Sequence, residues 1–197
     1  CRKSTELIAK DWRTMSHEQT ELGVEVTAVG DAKPNATVDV IFVHGIGGDP
    51  VTTWTGGLTA ADAFWPAWVD AALPEAQVWT ARYPAQITSW FGPSFPLMQS
   101  SISLLDRLTQ KLGAHRIIFV CHSLGGLIVK QILRAALDSP ARPEFRQLGE
   151  LISGVVFLGT PHQGAFLAGF ATSLVRVMGR IGRMSGFTPT AAELAKQ

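Results

Sequence analysis

The sequence predicts an α/β protein, a three-layer α/β/α sandwich on a mostly parallel sheet, with its chemistry at the carboxyl ends of the strands. Three observations carry this expectation. Short, largely apolar runs recur at 38–43, 78–83, 117–121 and 152–158, without the in-out alternation of a half-wet sheet. Stretches whose apolar residues repeat at helical spacing lie between them. A serine, Ser123, stands where one of the runs gives way to one of the helices.

The composition fits a packed interior. Hydrophobic residues make up 46% of the 197 and charged ones 17%, which favours a globular domain able to bury roughly 70% of its unfolded surface. A formal charge of +1 gives no field that would gather nucleic acid or an anionic membrane, and no nucleic-acid motif is present. Partners therefore have to be argued from sites. Two cysteines, Cys1 and Cys121, make a disulfide framework improbable and fit a reducing compartment. No run approaches the roughly 18 apolar residues of a membrane span, which leaves peripheral contact as the form a membrane association would take.

Charged residues crowd into 1–35, a lead-in containing VEVTAV at 24–29, an outer strand by its pattern; the domain proper is expected over 36–197. VDVIFV at 38–43 reads as a central strand that stops at the glycine turn HGIGG, His44 to Gly48. FWPAWVDAAL at 64–73 suits a helix and VWTARY at 78–83 a strand, while Pro84, Pro93 and Pro96 mark a surface loop over 84–96. Leu97, Ile102, Leu104, Leu105, Leu108 and Leu112 form one helical face. IIFVC at 117–121 is a short buried strand, LGGLIVKQILRAAL at 124–137 a helix, ISGVVFLG a further strand and AFLAGFATSLVRVMGRIG a further helix. Thr190 three residues before Glu193 is a capping-box signal, so the domain is expected to be cut at its C-terminal end.

The strongest local signal is FVCHSLGGLIVK, residues 119–130. A serine at a strand-to-helix turn stands clear of the backbone, and the helix N-terminus behind it offers N–H groups to developing negative charge. Cys121 replaces the customary first glycine of G-x-S-x-G, while the glycine at the other end, Gly125, is kept. The plainer reading of Ser123 is a helix N-cap. His122 is assigned a supporting or packing role, since adjacent side chains at a sharp turn point apart. Cys121, at the end of an apolar strand, reads as a small buried hydrophobe.

HGIGG supplies the second element. An acyl-transfer intermediate needs two converging donors, and the backbone N–H groups of Ile46 and Leu124 are the expected pair. Neither G-x-x-x-x-G-K-[ST] nor G-x-G-x-x-G is present, so no phosphate or dinucleotide cradle is expected and no cofactor is assigned. VVFLGTPHQG at 155–164 ends the next strand, bringing Thr160, His162 and Gly164 toward the same crevice as His44 and Ser123. His162 reads first as a loop-fixing residue. No metal is assigned, since His44, His122 and His162 lack metal-ligand spacing.

Together, VIFVHGIGGDPVTTW, FVCHSLGGLIVKQIL and VVFLGTPHQG resemble the lipase-like serine-hydrolase branch of the α/β-hydrolase superfamily, over about residues 36–165. That branch includes GPI-inositol deacylases and the serine-active-site proteins of phosphatidylglycerol remodelling, and similar domains open multidomain NACHT-type signalling proteins. The resemblance implies Ser123 as nucleophile, an oxyanion hole at Ile46 and Leu124, and a pocket shaped by His44, Gly45, His122 and His162. It implies an ester or lipid-like substrate, further domains in the same chain, and an intracellular, cytoplasmic setting or association with mitochondria or endoplasmic reticulum. Acid and histidine should follow the nucleophile in that order. After Ser123 there is one aspartate, Asp138, at a helix end, and one histidine, His162, so the authentic pair is expected beyond Gln197. A degenerate hydrolase module kept for binding or signalling is the alternative. Trp54, Trp65, Trp68, Trp90 and Phe91 read either as an apolar substrate entrance or as packing residues.

Overall fold

Along the chain run β1 (Glu25–Val29), β2 (Val38–Val43), α1 (Trp65–Ala72), β3 (Ala76–Arg82), α2 (Leu97–Lys111), β4 (Arg116–His122), α3 (Gly125–Asp138), α4 (Pro143–Leu151) and β5 (Ile152–Leu158). This computed structural model describes residues 23–55, 63–85 and 97–162. Two compact units divide the chain, Cys1–Thr160 and Pro161–Gln197; the sheet and the described helices belong to the first.

The strands form one sheet in the order β1-β3-β2-β4-β5. β2 pairs parallel with both β3 and β4, β4 pairs parallel with β5, and β1 joins β3 antiparallel at the edge. Parallel neighbours need crossover segments, and the helices between the strands supply them. On one face Val40, Phe42, Ala76 and Val78 pack with Trp54, and Val69 of α1 lies against them. On the other face α3 comes so close that a methyl on Gly126 would strike the Phe157 ring of β5 at 2.8 Å. Leu104, Leu105 and Leu108 of α2, and Ile128 and Ile132 of α3, are fully buried. Each such side chain contributes about 1.5–3 kcal/mol by leaving water. The sheet therefore has helices on both sides.

Register explains where strand ends differ from the apolar runs. β3 begins at Ala76, two residues before the run 78–83, because Ala76 pairs with Val38 at the start of β2. β4 extends from Arg116 to His122 because Arg116 lies opposite Val38 and His122 opposite Leu158. α4 carried no clear signal in the sequence. It buries only Phe145 and Leu148, and begins with Pro143 in its first turn, where a missing N–H costs nothing. The helix expected over 165–182, most of the loop 84–96 and the capping box at Thr190 lie outside the described residues.

Candidate active site

β4 ends at His122 and α3 begins at Gly125, so Ser123 and Leu124 make the whole turn. Among the described residues Ser123 is the one non-glycine with positive φ, at 52°. Its N–H donates to the carbonyl of Leu158 at 2.8 Å, which ties the elbow to the end of β5. The side chain does not cap α3: Leu124 holds the N-cap position without a side-chain bond, and the Ser123 Oγ is buried with no hydrogen-bond partner. A buried hydroxyl left unpaired in a strained turn is the exception that asks for an explanation.

The glycine turn lies directly against this elbow. A Cβ on Gly45 would sit 2.8 Å from the Ser123 Cβ and 3.3 Å from the His122 Nδ1. A Cβ on Gly125 would collide with the carbonyl oxygens of Val43 and His44, so α3 starts against the end of β2 only because position 125 has no side chain. Gly47 turns the loop at φ 66°, and its N–H donates to Ala85 at 2.6 Å. Among the described residues, no backbone acceptor takes the N–H of Ile46 or of Leu124.

His44 is enclosed. Its ring stacks on Tyr83 with centroids 4.4 Å apart, its Nδ1 lies 2.9 Å from the Gly45 carbonyl oxygen, and its Nε2 is buried without a partner. The Tyr83 hydroxyl donates to the His44 carbonyl at 2.5 Å, fixing the peptide that opens the glycine turn. Burial lowers the pKa of His44 and so keeps the ring neutral. The far end of the turn is folded by Asp49, whose carboxylate accepts from the backbone N–H groups of Val51 at 2.8 Å and Thr52 at 3.0 Å, and from the Thr52 hydroxyl. Burial alone would raise the Asp49 pKa; those hydrogen bonds outweigh it and bring it below the usual range.

Cys121 lies wholly buried behind the elbow, its thiol pushed up to about 12 by burial, which makes it a packing residue and not a nucleophile. His122 is exposed, and partial burial of its ring lowers its pKa. Thr160 packs against Gly126 in the first turn of α3, with its hydroxyl buried and unpaired. His162 is exposed and belongs to the second unit. No group of three or more His, Cys, Asp or Glu able to hold a metal occurs among the described residues.

Sequence reasoning gave too little weight to what lies beside His122. A cavity of about 370 Å³ opens there, its walls including Trp54, Ala63, Trp65, Trp68, His122 and Leu158. The signal that could have found it is the spacing of Trp65 and Trp68 on α1, next to a loop carrying Trp54. Trp90 and Phe91 lie outside the described residues. Tyr83 was also passed over, as the last letter of an apolar run.

No family model matches the chain. Among curated proteins it is similar to Protein SERAC1 of Danio rerio, 30% identical over 158 residues, and to Protein SERAC1 of Bos taurus, 27% identical over 156 residues. Each match covers 69% of this chain and 23% of the relative, so the chain spans less than a quarter of the length of the curated relatives it matches. A solved phospholipase/carboxylesterase from Dyadobacter fermentans DSM 18053 is similar at 18% identity with a TM-score of 0.35, covering 77% of this chain and 93% of that one.

Proposed function

On the premise that this chain has an α/β-hydrolase-like fold, we propose that it carries the nucleophile and oxyanion hole of a serine-dependent carboxylic ester hydrolase, esterase or lipase-like, working through an acyl-enzyme. The observation that carries the reading is the Ser123 hydroxyl, unpaired on a left-handed elbow and set against a glycine turn. Such a turn carries the hydroxyl away from the helix cap that a relaxed serine would make and leaves it free to bond a reacting group. The Ser123 oxygen attacks the ester carbonyl as its proton passes to a histidine, which thereby becomes the general acid, and the carbonyl oxygen becomes an oxyanion. The N–H groups of Ile46 and Leu124, which have no other acceptor among the described residues, are the donors for it. Collapse expels the alcohol, which takes a proton from the general acid, and water then attacks the acyl-enzyme to release the acid. The proton-transferring histidine and its carboxylate are assigned to the longer protein, acid first and histidine second.

One observation favours a second reading. Among the described residues no histidine nitrogen bonds the Ser123 hydroxyl, as a degenerate module kept for binding or signalling would also have it. Fluorophosphonate labelling and ester turnover of the full-length protein separate the two. Hydrolysis requires that wild type labels and turns over, and that Ser123→Ala loses labelling and roughly 10⁶-fold in kcat. Equal turnover in both, with no labelling of either, rejects it.

A further inference from the structure

Resting on the hydrolase reading above, we propose that the cavity beside His122 is the site for the non-polar acyl chain of the ester. Two of its walls adjoin the elbow. His122 directly precedes Ser123, and the carbonyl of Leu158 accepts the Ser123 N–H at 2.8 Å. A chain leaving an ester held at Ser123 therefore has an apolar volume beside it, walled in part by the residue that precedes the serine. At about 370 Å³ it falls within the size of small-molecule pockets.

The lining selects the ligand. Among the described residues it contains no Asp, Glu, Lys or Arg, and His122, the ionisable residue among them, has its pKa lowered by partial burial. A phosphate or carboxylate entering here would find no cation among the described lining residues to balance it. Trp65 and Trp68 leave 45% and 52% of their surfaces uncovered, wide apolar area that methylene groups cover well. Trp54 adds an observation of another kind. It is only 4% exposed, its ring lies 6.3 Å from that of His122, and its indole N–H is buried with no acceptor among the described residues. Buried donors are normally satisfied.

The test uses the full-length protein with p-nitrophenyl esters from butyrate to octanoate, and with 8-bromooctanoate as a quencher of tryptophan fluorescence. Wild type should gain about fourfold in kcat/KM for each methylene that enters the cavity. Ala63→Phe, which fills the space, should lower the octanoate-to-butyrate ratio by about tenfold or more and weaken the quenching. Trp68→Ala, which removes a half-exposed wall, should lower the same ratio. A ratio and a quenching curve unchanged in both variants overturn the assignment. The absence of any turnover or Ser123 labelling defeats the hydrolase reading instead. Quenching then decides the cavity alone: sensitivity to Ala63→Phe sustains the chain site, and indifference to it removes the site as well.

Discussion

Ser123 holds a backbone that disfavours every residue with a Cβ, at a cost of about 1–2 kcal/mol. Replacing it separates the cost from the chemistry. Ser123→Gly and Ser123→Ala should be equally inactive, yet Ser123→Gly should resist urea better, by about 1 kcal/mol, since glycine adopts φ 52° freely. Equal midpoints would mean that the turn is not strained. The serine's place at a strand-to-helix turn was legible because its motif is local; its strain and its unpaired hydroxyl were not, because both depend on β5 and on the glycine turn. His44 gives a second test at this scale. Unfolded, it takes up a proton as the pH falls through about 6.5, whereas in the fold burial resists that proton. The unfolded chain then binds more protons, so stability should be flat above that pH and decline below it, until the folded histidine titrates as well. His122 shifts in the same direction and stays constant in the comparison. Urea unfolding at pH 7.5 and pH 5.5 should show wild type losing more stability than His44→Phe, which keeps a ring against Tyr83. An equal loss in both would acquit His44.

Between elements, the decisive contact is α3 against β2. Nothing but the absence of a side chain lets the helix begin beneath the carbonyls of Val43 and His44. Gly125→Ala should therefore destabilise the protein by about 1–3 kcal/mol, read as a lower denaturation midpoint, and reduce fluorophosphonate labelling of Ser123 along with it. An alanine variant as stable and as reactive as wild type would show that the helix can retreat without consequence. Strands and long helices were readable wherever burial on a face writes a period into the sequence, as in VDVIFV or in Leu104, Leu105 and Leu108. α4 escaped because two buried side chains make no period. The first two residues of β3 escaped for a different reason, since pairing with β2 and not local composition sets where that strand starts.

In the molecule as a whole, the order of the strands is a non-local property. β1 reaches β3 across some 50 residues of chain, and nothing within VEVTAV states which strand it will join or in which sense. Ser123 and the glycine turn converge for the same kind of reason, through the pairing of β2 with β4. One consequence follows from Cys121, which lies opposite Val43 on one side and Phe157 on the other. No alkylating reagent can reach that sulfur while the sheet is closed, and its raised pKa leaves almost no thiolate at pH 8. Iodoacetamide should leave Cys121 unmodified in the native protein for hours and capture it promptly in urea, and modification within minutes under native conditions would contradict the burial. With reagent in excess, the slow native rate measures how often the centre of the sheet breathes, so the chain carries its own clock for the opening of the floor beneath Ser123.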